Sequence, residues 1–191
     1  VVSLIVSDIP GDIASYVASG PTVPDTNTRA DALKLVAQYR MKFPDAVMRH
    51  LNSPEADAPK PSDKIFANNE VHIIASAAVS LEAAASAARR QGVEAVILSD
   101  AIEGEAREAA KVHATIAREV SVKDRPFRKP VVILSGGETT VTLSGKGKGG
   151  RNSEFLLSFA RAIEGVRGSD ALAADTDGVD GSEDNAGAFA D

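Results

Sequence analysis

Between Leu143 and Phe155 the sequence reads LSGKGKGGRNSEF, in which residues 145–150 hold four glycines and two lysines, followed directly by Arg151. These residue types suit anion binding: glycine lets the backbone approach a ligand closely, and lysine and arginine supply charge. Gly145 to Gly150 satisfies G-x-G-x-x-G, the dinucleotide pattern. It equally satisfies G-x-x-x-x-G, with Arg151-Asn152 where a phosphate loop carries Lys and Ser or Thr. The nicotinamide version also requires an acidic residue ending the next strand about 20 residues on. Asp170 has the spacing but precedes that strand, and Asp175 ends it but lies further away. The phosphate-loop version fails at its lysine, although arginine holds phosphate oxygens in a bidentate way. With Asn152 as the cap of a helix from Ser153 to Ile163, the free amides of the first turn would join Lys146, Lys148, Gly149, Gly150 and Arg151 in one positive site. A flexible turn is the plainer alternative.

Three further stretches place chemistry where a strand hands over to a loop, the position at which open α/β sheets bind ligands. SDIPGDIASYVASGPTVPD, Ser7 to Asp25, offers Asp8, Asp12 and Ser19, or simply two turns joined by a short helix. SGGETTV, Ser135 to Val141, offers a backbone nest at Gly136-Gly137 with Glu138, Thr139 and Thr140, or a tight hairpin. ADTDGVDGSEDNAGA carries five carboxylates between Asp175 and Asp184. It is not an EF-hand, because Val179 and Ala186 stand where ligands are needed. Magnesium suits it better, since one or two carboxylates plus phosphate oxygens suffice; Asp175, Asp177 and Asp180 are the candidates, and a solvated acidic loop is the alternative.

The elements that must position these residues alternate along the chain. Apolar runs at 4–6, 71–75, 95–98, 131–134 and 172–174 read as buried strands, with helical patterns between most of them. That alternation predicts an α/β fold, a layered and mostly parallel sheet with flanking helices, Rossmann-like and in two parts. The first helix starts at Thr28, with Asp31 completing a capping box, and Pro44 ends or turns it. A second runs from about Ala77, with Leu81, Ala84, Ala85 and Ala88 on one face, Arg89 and Arg90 in its last turn and Gly92 as its C-cap. A third spans Glu103 to Glu119, with Glu103, Glu105 and Glu108 in its early turns. The proline-bearing stretch 123–129 reads as a linker between a first part, 1–123, and a second, 130–191.

Composition narrows the classes. The chain has 191 residues, 43% hydrophobic, 25% charged, with a net charge of −6. This argues against a nucleic-acid binder, and no apolar run approaches the 18 or so residues of a membrane span. With no cysteine and three scattered histidines, neither a disulfide framework nor a thiolate or His-rich zinc site is available, and a reducing cytoplasm fits. The ends, opening on VVSLIVSD and closing after an acidic glycine-rich loop, suggest a fragment of a longer chain.

Taken in order, SDIPGD, ASGPTVPD, SGGETTV, GKGGRNSEF and DTDGVDGSEDNAGA resemble the glycerate 2-kinase family, whose members have often carried the label hydroxypyruvate reductase. The resemblance runs across nearly the whole chain. It implies two α/β domains with ATP, a divalent metal and D-glycerate in the cleft between them, the chain holding the later part of the large first domain and most of the smaller, leucine-rich second one, truncated. It implies that Arg151 corresponds to the family's essential arginine, with looser correspondences at Asp8, Asp12, Ser19, Glu138 and Asp177. The family's essential lysine and glycine-rich loop lie upstream and have no counterpart here, which implies no activity for this stretch alone. The chemistry implied is phosphoryl transfer, with Arg151 and Lys146 or Lys148 neutralising charge, SGGETT donating to phosphate, and Asp175 and Asp177 holding Mg²⁺. The rival expectations are an NAD(P)H-dependent hydroxypyruvate reductase and a non-catalytic ligand-binding module. Partners would be glycerate and nucleotide, with a homo-oligomer compatible and neither nucleic acid nor membrane involved.

Overall fold

A computed structural model describes residues 1–191, which divide into two compact units. The first comprises Val1–Ser7 and Asp12–Ser76. Its strands β1 (Val2–Val6) and β2 (Glu70–Ala75) pair in parallel, Ser3 opposite Val71 and Ile5 opposite Ile73. Between them lie α1 (Arg29–Gln38), α2 (Asp45–Leu51) and three single 3-10 turns. The capping box forms as expected: the Asp31 amide donates to the Thr28 hydroxyl, and the Asp31 carboxylate accepts from the Thr28 amide at 3.1 Å. Those bonds satisfy donors that a helix start leaves open; the Thr28 hydroxyl, which also donates to the Asp31 carboxylate at 2.6 Å, and then the Thr28 amide hold that carboxyl below its usual range. Pro44 stands outside α1 and immediately precedes α2.

The second unit comprises Asp8–Gly11 and Ala77–Asp191 and contains the buried apolar core. Helix α3 (Ala77–Arg90) is followed by Gly92 in left-handed backbone, φ 78°, and the Arg89 guanidinium donates to the Ala95 carbonyl at 2.9 Å. Strand β3 (Glu94–Glu105), helix α4 (Ala106–Lys123) and strand β4 (Val131–Thr140) form one β-α-β crossover, with β3 and β4 parallel. A parallel pair needs a crossover of a dozen or more residues, and α4 supplies it. Then follow α5 (Arg151–Ala162), β5 (Ala171–Ala174) and β6 (Gly187–Ala190), the two strands pairing antiparallel.

The core forms where α4 meets α5. Ala106, Ala110 and Ala114 recur at four-residue spacing and are buried, giving α4 a smooth stripe. Phe159 and Ile163 fill the space against Ala110 and Ala114, with Phe155, Ala162 and Val166 at the margin. Ser158 Oγ of α5 donates to the Arg107 carbonyl of α4 at 2.8 Å, and Ser121 Oγ of α4 donates to the Arg167 carbonyl, beyond the end of α5, at 3.1 Å.

The architecture is α/β with parallel strand pairs and flanking helices, yet it differs from the expected pattern in several places. The strands form three separate pairs rather than one continuous sheet, and the third pair is antiparallel. Glu103 and Glu105 belong to β3, not to the helix that follows, because residues 103–105 continue the ladder opposite Glu138 to Thr140. By packing, the units divide between Ser76 and Ala77, with Asp8–Gly11 grouped with the second, and β3 and β4 pair across residues 123–130.

Candidate functional site

Strand β4 runs six residues past the apolar stretch that announced it, so SGGETT is ladder backbone rather than a free nest or a hairpin. Gly137 lies opposite Ile102 with φ +148, and a β-carbon there would stand 2.1 Å from the Ile102 carbonyl oxygen. That close approach explains the glycine. At Gly136 a β-carbon would instead press on Leu81 of α3 at 3.2 Å. The strand thus delivers Glu138 near its end, with Thr139 and Thr140 paired opposite Gly104 and Glu105.

Glu105 was not marked by its sequence pattern as anything but a helix-start carboxylate. Its two oxygens accept from the Thr142 amide (3.0 Å) and hydroxyl (2.9 Å), anchoring the chain where it enters the glycine-rich turn. Those bonds, the amide first, hold its carboxyl below the usual range. The turn itself is exposed; Lys146 projects from it, and Lys148 Nζ pairs with Glu183 at 3.3 Å.

Helix α5 begins at Arg151, with Gly150 as its N-cap, and not at Ser153 under an Asn152 cap. Glycine has no side chain to satisfy the first amides, and Asp180 does so from 28 residues away. Its Oδ1 accepts from the Asn152 amide at 2.8 Å and its Oδ2 from the Ser153 amide at 2.8 Å and from the Ser153 hydroxyl. The Asn152 side-chain amide reaches the same Oδ1 at 3.3 Å. Asp180 is fully buried. Burial disfavours the charged form and pushes its pKa up, the largest single influence, but the four bonds together outweigh it and hold the carboxyl below its usual value. A β-carbon on Gly150 would stand 2.3 Å from Asp180 Oδ1, so only glycine lets the carboxylate seat. The helix terminus expected to receive a phosphate is therefore already filled by a carboxylate of the chain.

What remains for a ligand is Arg151. Its guanidinium is clasped by the Glu138 carboxylate on one side and by Asp175 on the other, Nη2 to Oδ2 at 2.9 Å. The three residues come from the end of β4, the first position of α5 and the residue after β5. The Arg151 side chain stays 36% exposed, whereas Asp175 is 14% exposed. A fixed, half-open cation of this kind suits a carboxylate or phosphate group.

The acidic loop divides into different roles. Asp175 faces Arg151, and its Oδ1 accepts from the Asp177 amide at 3.4 Å. Asp177 accepts from the Val179 amide at 2.9 Å and is exposed. Asp180 has both oxygens committed to α5. No three carboxylates or histidines gather as a metal cluster. Of the remaining sequence candidates, Asp8 is exposed in the short segment grouped with the second unit, while Asp12 and Ser19 belong to the first unit and adopt left-handed backbone at φ 52° and 61°.

Fold and site together define an α/β protein with an arginine held between two carboxylates beside a glycine-rich basic turn. Residues 131–191 match the MOFRL family, and residues 1–52 match a domain of unknown function, DUF4147. The chain is 40% identical over 191 residues to a Thermotoga maritima protein named D-glycerate 2-kinase, covering all of this chain and 44% of that one. It is 40% identical over 192 residues to a Pyrococcus horikoshii glycerate 2-kinase, covering 98% of this chain and 43% of that one. A protein of Agrobacterium vitis, provisionally named as a hydroxypyruvate reductase, is 48% identical over 99% of this chain and 49% of its own. The crystal structure of glycerate kinase from Thermotoga maritima superposes with a TM-score of 0.86 at 40% identity, over the whole chain and 44% of that structure. Along its whole length the chain is similar to proteins named glycerate 2-kinase, the family its ordered motifs resemble. It spans about half the length of the curated relatives it matches.

Proposed function

We propose that the full-length protein transfers a phosphoryl group from ATP to a hydroxyl of D-glycerate, with Arg151 as the cation that meets the developing negative charge. The observation that carries this reading is the half-open Arg151 guanidinium fixed between Glu138 and Asp175. Phosphoryl transfer asks the protein chiefly for positioning and charge neutralisation, and a preorganised guanidinium supplies both. Relatives named glycerate kinase support the same reaction class.

Among the residues proposed to contact substrate or nucleotide, Lys146 has its cationic head available, whereas Arg151 is held by Glu138 and Asp175 and Lys148 by Glu183, so each of these two meets an anion as a carboxylate yields. Gly149, Gly150 and the ladder residues Gly136 to Thr139 shape the approach more than they donate to it. Asp8, Asp12 and Ser19 stay in the proposal through the family resemblance alone. Magnesium would neutralise the phosphates of bound ATP. Asp177, exposed and with one oxygen uncommitted, fits such a hydrated ion; Asp175 fits if it leaves Arg151; the donor set at Asp180 does not fit. No helix is long and apolar enough to cross a membrane, and we place the enzyme in the cytoplasm.

The reductase reading has the name of the Agrobacterium vitis relative behind it, and the site geometry does not favour it. The amides at the start of α5 that would receive a pyrophosphate are bonded to Asp180, and Asp175 is engaged with Arg151. ADP release with glycerate, measured beside NAD(P)H consumption with hydroxypyruvate on the full-length protein, separates kinase, reductase and non-catalytic module. Arg151→Ala should lower kcat/KM by about 10²-fold or more, roughly 3 kcal/mol of transition-state stabilisation. Unchanged turnover would remove Arg151 from the mechanism.

A further inference from the structure

His113, on α4, touches neither the glycine-rich turn nor the acidic loop, yet it contacts both elements that bring Glu138 and Arg151 together. Its Nδ1 lies 2.8 Å from the Ala109 carbonyl oxygen and its Nε2 lies 2.9 Å from Ser135 Oγ. A carbonyl only accepts, so Nδ1 carries a proton; the neutral ring then offers Nε2 as acceptor to the Ser135 hydroxyl. Both ring nitrogens are thereby satisfied and the ring plane is set. The same ring meets Phe155 edge-on, with centroids 5.2 Å apart and an interplanar angle of 72°.

The two contacts fall at informative places. Ser135 stands on β4 three residues before Glu138, and Phe155 stands on α5 four residues after Arg151, one turn along the same helix face. Phe155 in turn stacks on Phe159, centroids 6.5 Å apart, which is buried in the α4–α5 core. His113 therefore lies where α4, β4 and α5 meet, with a directional bond to the strand and a packing contact to the helix.

We propose that His113 is a positioning residue: through Ser135 and Phe155 it sets the spacing between β4 and the first turn of α5, and so the placement of Arg151 against Glu138. The inference rests on the proposed kinase reading for its catalytic consequence, and on geometry alone for its structural one. A purely packing role would need the aromatic ring and not its nitrogens. Reaction rates are sensitive to ångström-scale misplacement of a charged group, whereas the bulk binding of substrate is less so.

The test uses the full-length protein and three variants: His113→Phe keeps the ring against Phe155 and drops the bond to Ser135, Ser135→Ala drops it from the other side, and His113→Gln retains a polar group able to reach Ser135. His113→Phe and Ser135→Ala should each lower kcat about tenfold with KM changed less than about twofold, the double variant should be no worse than either single one, and His113→Gln should recover most of the loss. A second readout needs no turnover. The Arg151 Nε–H resonance, identified by its loss in Arg151→Lys, should move or broaden in His113→Phe. A wild-type protein that turns over no glycerate, with that resonance still displaced, would defeat the kinase reading and leave the positioning role standing. Wild-type kcat in His113→Phe, multiplicative effects of the two substitutions, or an undisturbed Arg151 signal would each overturn the role of His113.

Discussion

Arg151 Nη2 lies 2.9 Å from Asp175 Oδ2, which joins the first residue of α5 to the residue that follows β5 across 24 positions of sequence. The two carboxylates on this guanidinium are not equivalent: Asp175 is 14% exposed and Glu138 43%. A partly desolvated pair orients its members more firmly than a solvated one, whose energy is small and screened by salt. Asp175→Asn in the full-length protein should therefore reduce kcat by about tenfold or more, and Glu138→Gln by less than about threefold. Steady-state kinetics on the two variants checks the order; a larger loss from Glu138→Gln would mean that Glu138 acts on the substrate itself.

Asp180 should leave a signature in the pH dependence of stability. Its carboxyl is held below the ordinary value of 3.8 by its bonds to Ser153 and Asn152. A carboxyl with a depressed native value stabilises the fold fully above its unfolded value and loses that contribution as pH falls through the native one. Asp180→Asn should cost about 1–2 kcal/mol near neutrality, as loss of a helix cap does, and the gap to wild type should narrow as pH drops below about 4. Urea unfolding at several pH values measures both; a gap that is constant from pH 7 to pH 2 would show that the charge of Asp180 contributes nothing.

Phe159 is 6% exposed and fills the space between the alanine stripe of α4 and the end of α5. Small neighbours cannot close the hole that a truncated ring would leave. Phe159→Ala should cost about 3–5 kcal/mol in chemical unfolding, and Phe159→Leu clearly less. A loss near 1 kcal/mol would indicate that α4 and α5 move together to fill the cavity.

The parts legible in the sequence are those written in local patterns. Thr28 and Asp31 form the expected box, Gly92 follows α3, and apolar runs mark five of the six strands. The ordered motifs pointed to the glycerate kinase relatives and to Arg151 as the residue proposed for the site. Pairing at distance was not legible. Nothing near Asn152 says that its helix is capped by a residue 28 positions later, and nothing near Asp180 distinguishes it from the other carboxylates of an acidic loop. The extension of β4 through two glycines was hidden because glycine is a poor strand former; only its partner Ile102, which crowds the position, explains it. Glu103 and Glu105 carry helix-start composition yet continue a ladder, tertiary pairing having overridden local preference.

The glycines of the opening turn divide into two kinds, and substitution separates them. Gly150 has an extended backbone, φ −142, that any residue adopts, so its requirement is one of space: a β-carbon would lie 2.3 Å from Asp180 Oδ1 and 2.4 Å from the Asp180 carbonyl carbon. Backbone atoms cannot swing aside, and Asp180 would have to leave the helix terminus. Gly147 has nothing within 4 Å of the corresponding position. Gly150→Ala should therefore destabilise the chain by about 1–3 kcal/mol, the range of overpacking, with the larger effect if the Asp180 carboxylate is left buried without its donors. Gly147→Ala should stay within about 0.5 kcal/mol of wild type. In an Asp180→Ala background the penalty of Gly150→Ala should shrink in part, because the contacts with Oδ1 and Cγ go while the one with the Asp180 carbonyl carbon stays. Chemical unfolding of the four proteins gives the coupling directly. Independent, additive losses would mean that the tight packing of Gly150 on Asp180 does not govern how α5, and with it Arg151, is held.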